Sequence, residues 1–267
     1  MVRVLRSAFA ALLIPTATAI AAEHPSFDCA TARTARELAV CALPSLAAAD
    51  RSLARALRAA GARLGRADTE SLAADQRAFL LRIDIGFDGR LWGKQEPPDL
   101  AGRRAEVRRI ADGSETAQAL REQMVLRALL LDAIDPRRGD FVGLFVSRNG
   151  HVEIGPAVDG RHPVTLSIGS YGWEKYHCDF EASFARLGDR LIAEEVRNDE
   201  ADRRVTRLEL AIDGARLRIV EETPETSSDP HVGRACPRIS PLGAPFFRVD
   251  RSKLPADIRA RMGRAAQ

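Results

Sequence analysis

The chain contains four cysteines, Cys29, Cys41, Cys178 and Cys236. Their spacing limits the reactions and ligands in which they can take part. A zinc site needs ligands as close as Cys-x-x-Cys or two histidines on one helical turn, and neither pair offers this. A catalytic thiol needs an adjacent base, but neighbours on a strand, such as His177 and Cys178, face opposite sides. We therefore favour structural disulfides over a metal site or a catalytic thiol. Three pairings are possible, and we favour Cys29–Cys41 with Cys178–Cys236 because each pair falls within one predicted domain.

The segment from Ser170 to His177 is rich in aromatic residues in a chain that has few. Tyrosine and tryptophan dominate binding hot spots, so Tyr171, Trp173 and Tyr176 are candidates for a recognition edge. The alternative is that Trp173 closes the end of a sheet. The sequence contains no Gly-x-Ser-x-Gly, His-Glu-x-x-His or phosphate-binding glycine loop. We therefore predict no catalytic residues, no cofactor and no metal site, and expect that the chain is not an enzyme.

The first 22 residues have the pattern of a secretory signal peptide. Two arginines, Arg3 and Arg6, precede an apolar run from Ala8 to Pro15, and a stretch of small residues follows. Cleavage is expected near Ala21 or Ala22, which places the mature protein in the periplasm or outside the cell. The alternative, a membrane anchor, is disfavoured because the run is shorter than the roughly 20 residues that span a bilayer. Export into an oxidising compartment also agrees with the disulfide interpretation.

The charge of the mature chain is nearly balanced. Removing the two arginines of the signal peptide from the 40 basic residues leaves 38 against 37 acidic residues. A nucleic-acid-binding protein would instead show a marked basic excess, so we exclude nucleic acid as a partner. The mature chain of roughly 245 residues is long enough for one large or two ordinary domains.

The segment from residue 23 to 135 has the apolar periodicity of amphipathic helices. Thr34 with Glu37 three positions later is the capping-box pattern that opens a helix. Glycines after residue 85 are expected to end the third helix, because glycine is unfavourable inside helices. The expected helices lie at about residues 35–41, 44–64, 69–85, 100–111 and 115–133.

After residue 135 the apolar residues alternate as in β-strands. Eight strand-like runs are separated by turn sequences such as Asp159-Gly160 and Asp213-Gly214. Short strands joined by tight turns predict an antiparallel β-meander, barrel-like or a small sandwich, and the fold class is α+β. The predicted organisation is a signal peptide (1–22), a disulfide-tied helical hairpin or bundle (23–135), an antiparallel β domain (136–250) and a basic tail (251–267).

Residues 26–85 also carry a motif that resembles a known family. The run Ser-Phe-Asp-Cys precedes a Thr-x-x-Glu cap, and a cysteine closes the first helix. A Leu-x-x-x-Asp-x-x-Leu helix follows, and the next helix contains Gln-Arg-x-aromatic-Leu. This pattern is similar to the N-terminal domain of LprI-like lysozyme inhibitors, which are exported bacterial proteins. The residues that carry it are Ser26, Phe27, Asp28, Cys29, Thr34, Glu37, Cys41, Leu46, Asp50, Leu53, Gln76, Arg77, Phe79 and Leu80.

The resemblance implies an envelope binding protein that inhibits a lysozyme by inserting a loop or helix end into its sugar-binding cleft. The expected partner is then a lysozyme or another envelope protein. The alternative is a periplasmic ligand-binding or scaffolding module whose β domain is the binding element. We expect the motif residues to build the helical hairpin, and expect Asp50 to make an interhelical ion pair or hydrogen bond rather than a contact to a partner.

Overall fold

The computed structural model describes most of the chain: residues 24–93, 95, 97, 99–148, 150–169, 177–198, 203–224 and 245–263. The predicted signal peptide lies outside the described residues, as does the predicted recognition edge of Tyr171, Trp173 and Tyr176. Cys236 and the side chain of Cys178 also lie outside the described part, so their pairing stays a prediction.

The described chain from residue 24 to 132 is helical. Its α-helices are α1 (Ala35–Ala42), α2 (Pro44–Arg63), α3 (Arg66–Trp92), α4 (Leu100–Val107) and α5 (Glu115–Asp132). Polar side chains before α1, α4 and α5 accept hydrogen bonds from first-turn N–H groups, which have no partner inside a helix. In the described part of the chain, no helix combines the length and the hydropathy that crossing a bilayer requires.

A disulfide joins Cys29 to Cys41, as predicted. Cys29 begins the 3-10 helix Cys29–Thr31, and Cys41 lies in the last turn of α1. The capping box is present at the start of α1: the Thr34 hydroxyl accepts from the Glu37 N–H, and the Glu37 carboxylate accepts from the Thr34 N–H. Burial acts to raise the pKa of Glu37, but the backbone N–H donors of Arg33 and Thr34 outweigh it and lower that pKa.

The helix α3 is longer than the sequence predicts. It continues through Gly86 and Gly89 and ends at Trp92, and the C-cap residue Gly93 has a φ of 58°, a conformation that favours glycine. Phe87 and Trp92, both beyond the first of these glycines, are buried in the helical core. Burying large side chains offsets the roughly 1 kcal/mol that a helical glycine costs relative to alanine, so packing extends the helix past the expected stop.

The second half of the chain is a closed antiparallel barrel, one of the two architectures that the alternation pattern allows. Each strand pairs with the next in sequence, and the last pairs with the first. Consecutive strands therefore run in opposite directions, and their turns alternate between the two ends. The strands among the described residues are β1 (Gly143–Val146), β2 (Gly150–Ile154), β3 (Arg161–Gly169), β4 (His177–Leu187), β5 (Arg190–Asn198), β6 (Arg203–Asp213), β7 (Arg216–Pro224) and β8 (Pro245–Val249).

Two hydrophobic clusters meet at strands β1 and β8. Inward residues such as Phe145 and Phe246 belong to the cluster that fills the barrel. The alternate residues of the same strands, including Val146 and Phe247, face outward and belong to the cluster formed by the helices. The helices thus cover the outside of the barrel where β8 closes against β1.

The segment after β8, which the sequence presents as a basic tail, folds back onto the helical cluster. A 3-10 helix, Arg251–Lys253, leads into α6 (Ala256–Gly263). Leu254, Ile258 and Met262 are buried in the helical cluster. The chain after the barrel is therefore part of the covering that fixes β8.

A buried ionic network connects the helices to the barrel. The Asp75 carboxylate of α3 accepts from Arg127 of α5 at 2.6 Å and from Arg148, in the β1–β2 turn, at 2.9 Å. Arg127 also donates to the Gln76 amide oxygen at 3.0 Å, and its guanidinium lies 5.5 Å from the Phe79 ring centroid. The carboxylate of Asp75 is fully buried, and a buried charge needs such paired partners to be tolerated.

At the start of α3, Asp68 makes a second connection. Its carboxylate forms an ion pair with Arg216, whose Nε lies 2.8 Å from an Asp68 oxygen, and it accepts a hydrogen bond from the Ala215 N–H at 3.3 Å. Both partners lie at the β6–β7 turn. A Cβ atom built on Gly214 would approach the Asp68 carboxylate oxygens to 2.9 Å, so this turn needs glycine for the contact.

The first prediction concerns the disulfide. Cys29→Ala with Cys41→Ala should lower the free energy of unfolding by about 3 kcal/mol, because the bridge closes a loop of about 13 residues in the unfolded chain. Urea unfolding of the double variant measures this. Ala30→Ser, an exposed change in the same loop, is the matched control and should leave stability unchanged. An unchanged double variant would show that the bridge does not hold the helical domain.

The second prediction concerns the buried network. Asp75→Asn should lower the free energy of unfolding by about 3–5 kcal/mol, because two largely buried arginines lose their counter-charge. Glu70→Gln on the same helix is the matched control. Its ion pair with Arg66 is exposed. Loss of such an exposed pair should cost only about 0.5 kcal/mol or less. Equal effects of the two variants in urea unfolding would contradict the assignment.

Candidate functional site

Most residues of the motif in residues 26–85 occupy structural positions among the helices. The Asp28 side chain caps the 3-10 helix before α1. Leu46 and Leu53 are buried in the helical cluster, and Phe27 packs against it. Gln76 and Phe79 belong to the surroundings of Arg127, whereas Arg77 lies on the exposed face of α3.

Asp50, the acidic residue of the motif, is also structural. Its carboxylate accepts a hydrogen bond from the backbone N–H of Ser26 at 2.6 Å, and its side chain is buried. The neighbouring Arg51 donates to the carbonyl of His24 at 2.8 Å. These bonds hold the segment before the first cysteine against α2, so the contact joins a helix to the leading segment and not to another helix.

A cleft at one end of the barrel is the strongest candidate for a binding site. It has a volume of about 420 Å³, within the range of sites for small ligands. It lies where β1 begins and β8 ends, at the end that also carries the β2–β3 and β4–β5 turns. Its lining comprises Arg137, Asp140, Val142, Gly143, Leu144, Glu153, Arg248, Val249, Asp250, Arg251 and Ser252.

Arg248 is the buried charge of this cleft. Its Nη1 donates to the carbonyl of Val142 at 2.5 Å, and its Nη2 donates to the carbonyl of Asp140. The guanidinium lies 4.8 Å from the centroid of the Phe145 ring. Burial lowers the pKa of Arg248, and nearby Asp140 opposes this shift. The Arg248 guanidinium is therefore a positive charge with little access to water, in a lining whose other charged side chains are more exposed.

The backbone of Gly143 makes room for this guanidinium. Its φ is 147°, and a Cβ atom built on it would approach Arg248 Nη1 to 2.7 Å. Any other residue at this position meets both an unfavourable backbone conformation and a steric conflict.

The rim of the cleft combines carboxylates and arginines. Arg251 forms an ion pair with Glu153 across the rim. Arg137 donates to Asp135 at 2.5 Å, and this hydrogen bond raises the pKa of Arg137. Hydrogen bonds from the Ser252 hydroxyl and N–H lower the pKa of Asp250, so its carboxylate is ionised at neutral pH. The site thus offers fixed charges of both signs.

The arrangement is suited to binding. In the lining, the arginines are held by carbonyls or carboxylates, and the residues named above include no hydroxyl–imidazole pair for nucleophilic catalysis. Across the described ranges of the chain, no group of three or more His, Cys, Asp or Glu side chains is placed to hold a metal ion.

The sequence prediction missed Arg248. The run Phe-Phe-Arg-Val predicts a strand, and alternation places Phe246 and Arg248 on one face. Because the other face, Phe247 and Val249, is also apolar, the run indicates a strand buried on both sides. An arginine in such a run indicates a buried positive charge. The residues that surround it are brought together only when the barrel closes, so the sequence pattern does not identify them.

Two turns at the same end project apolar side chains into solvent. Val158, before the β2–β3 turn, is 64% exposed, and Leu187, before the β4–β5 turn, is 68% exposed. The β2–β3 tip is closed by reciprocal backbone hydrogen bonds between Val158 and Arg161, of 2.8 and 3.0 Å. Asp159 and Gly160 form its bend with positive φ values of 51° and 74°, the conformation that tight hairpin turns require.

A substitution at Gly143 tests how the cleft is built. Gly143→Ala should lower the free energy of unfolding by about 1–3 kcal/mol through backbone strain and contact with Arg248. Gly139→Ala is the matched control, since Gly139 also has a positive φ but no atom within 4 Å of an added Cβ. Urea unfolding measures how much more stability Gly143→Ala loses than Gly139→Ala, and this difference reports the contact between the added Cβ and Arg248. Equal losses in the two variants would contradict such a contact.

Comparison with known proteins gives no match: neither a family model, nor a curated protein, nor a solved structure matches this chain. The resemblance to LprI-like inhibitors therefore stays an interpretation of the motif in residues 26–85.

Proposed function

We propose that this chain is an exported bacterial envelope binding protein that inhibits a lysozyme by occluding its sugar-binding cleft. The motif of residues 26–85 supports the proposal through its resemblance to lysozyme inhibitors. The signal-peptide pattern of the first 22 residues supports export. The disulfide Cys29–Cys41 agrees with an oxidising compartment. In this proposal the chain acts by binding alone and catalyses no reaction.

The observation that supports this mechanism is the pair of projecting turns, β2–β3 and β4–β5, at the end of the barrel where this chain's own cleft lies. Occlusion requires a narrow element that is already rigid before binding, because ordering a flexible loop costs affinity. The β2–β3 tip meets this requirement through its closing backbone bonds and its tight bend. Val158 and Leu187 are the apolar groups that would enter the enzyme.

The motif residues themselves are poor candidates for the inhibitory surface. Apart from Arg77, which is exposed on α3, they cap helices, form the disulfide, pack in or against the helical cluster, bind Arg127 or hold the leading segment. We therefore assign to the helical domain the role of a scaffold, and assign contact with the enzyme to the barrel end. The nearly neutral charge of the mature chain indicates that shape and apolar contact, more than electrostatic steering, provide the affinity.

A muramidase assay tests this proposal. Oxidised residues 23–267 are titrated into lysozymes of several types on cell-wall substrate, with binding measured in parallel. Saturable, stoichiometric inhibition is the expected result. Absence of both inhibition and binding would mean that the resemblance reflects the scaffold alone, and the proposal would fail.

Substitutions then locate the contact surface. Val158→Glu with Leu187→Glu should weaken inhibition at least about tenfold, because charged side chains would replace the inserted apolar groups. The matched control is Leu81→Glu with Ile85→Glu on α3, whose side chains are similarly exposed at 62% and 66%. Loss of inhibition in the α3 variant and its retention in the turn variant would place the contact on the helical domain and contradict the mechanism.

A second function, that of a periplasmic ligand-binding module, is favoured by one specific observation. The inside of the barrel is filled by apolar side chains, but the cleft at its rim has the size and the fixed polar groups of a small-molecule site.

A further inference from the structure

We propose that the cleft at the barrel rim binds a small zwitterionic ligand of the amino-acid or short-peptide class, with its carboxylate toward Arg248 and its ammonium group toward the acidic rim. The proposal rests on the second of the two functions above and is independent of lysozyme inhibition.

The floor of the cleft attracts a carboxylate. Arg248 donates to two backbone carbonyls, which are neutral, and the carboxylate of Asp140 lies 3.9 Å from its Nη1. The side chain of Asp140 is itself 62% exposed, so water weakens its effect. The buried positive charge of the guanidinium is thus only partly compensated by this carboxylate. A ligand carboxylate beside it would gain more than it does in water.

The rim attracts a cation. Arg137 and Arg251 are engaged by Asp135 and Glu153 at close range. Of the three acids of this described lining, Asp140 and Asp250 are the two with no arginine closer than 3.9 Å, and each keeps one carboxylate oxygen that accepts none of the hydrogen bonds from Val142 and Ser252. The Asp250 carboxylate stays ionised, since the Ser252 donors favour its charged form and lower its pKa. An ammonium group is the ordinary partner of such carboxylates.

The balance of charge selects a zwitterion over a simple anion or cation. The lining contains three arginines, Arg137, Arg248 and Arg251, and three acids, Asp140, Glu153 and Asp250. A polyanion would meet the acidic rim, and a polycation would meet the arginines, so each would bring like charges together. A ligand of zero net charge with separated ends satisfies both signs.

The volume and walls suit a small ligand. The cleft volume of about 420 Å³ lies within the range of small-molecule sites. Val142 is half-buried and supplies apolar surface that can contact the aliphatic part of an amino-acid side chain, whereas the side chains of Leu144 and Val249 pack into the helical cluster. The alternative is that the rim charges serve only to hold the end of β8 against the segment before β1.

Titration with a dipeptide separates these two roles. The probes are L-alanyl-L-alanine, its N-acetyl derivative, which lacks the ammonium group, and its C-terminal amide, which lacks the carboxylate. Binding to the oxidised mature chain is followed by calorimetry and by NMR shifts of cleft residues. The free dipeptide should bind saturably, and each blocked form should bind at least about tenfold more weakly.

Variants assign the two ends of the ligand. Asp140→Asn should weaken binding of the free dipeptide at least about tenfold, and Arg248→Met should abolish it. If Arg248→Met does not fold, Gly143→Ala decides, because it displaces the guanidinium without removing the charge. Asp189→Asn, in the exposed β4–β5 turn at the same barrel end, is the matched control and should bind as the parent does.

Three results would overturn the proposal: no saturable binding of the dipeptide up to about 10 mM, equal binding of the blocked forms, or unchanged binding by Asp140→Asn. The muramidase assay is run on the same variants. Inhibition that persists without dipeptide binding would refute the cleft assignment alone, and dipeptide binding without inhibition would refute the inhibitor proposal alone.

Discussion

Two buried carboxylates on one face of α3 hold the helical domain and the barrel together. Asp68 and Asp75 are seven residues apart, which places them on the same side of the helix about 10 Å apart along its axis. Asp68 binds the β6–β7 turn, and Asp75 binds Arg148 in the β1–β2 turn, at the opposite end of the barrel. A buried carboxylate is tolerated only with such partners, so these contacts fix both the position and the direction of α3 along the barrel.

This attachment also determines where the cleft lies. The helices and the segment after β8 cover the outward residues of β1 and β8, so both strands are apolar on two faces. Strand alternation then leaves Arg248 on the inward face, at the end of the last strand. There it can reach the carbonyls of Asp140 and Val142. The position of the cleft therefore depends both on the barrel and on the way the helices pack against β1 and β8.

Local patterns predict most of the elements, and non-local contacts account for the differences. The capping box at Thr34 and the eight alternating runs identify α1 and the strands because caps and periodicity depend on nearby residues. The extension of α3 past Gly86 depends on the burial of Phe87 and Trp92 by distant residues. Closure of the barrel and the environment of Arg248 depend on pairing between β1 and β8, about a hundred residues apart. No short-range pattern encodes these contacts.

The two proposed activities occupy one end of the barrel, which links them physically. The motif that suggests lysozyme inhibition builds the helical scaffold, and a scaffold can carry unrelated binding surfaces. The projecting turns with Val158 and Leu187 lie at the same end as the charged cleft. Because the β4–β5 turn lies across the barrel from β1 and β8, a protein seated on those turns alters access to the cleft only if its contact surface spans the barrel end. By linkage, an occupant of the cleft would change the affinity for that protein by the same factor in return.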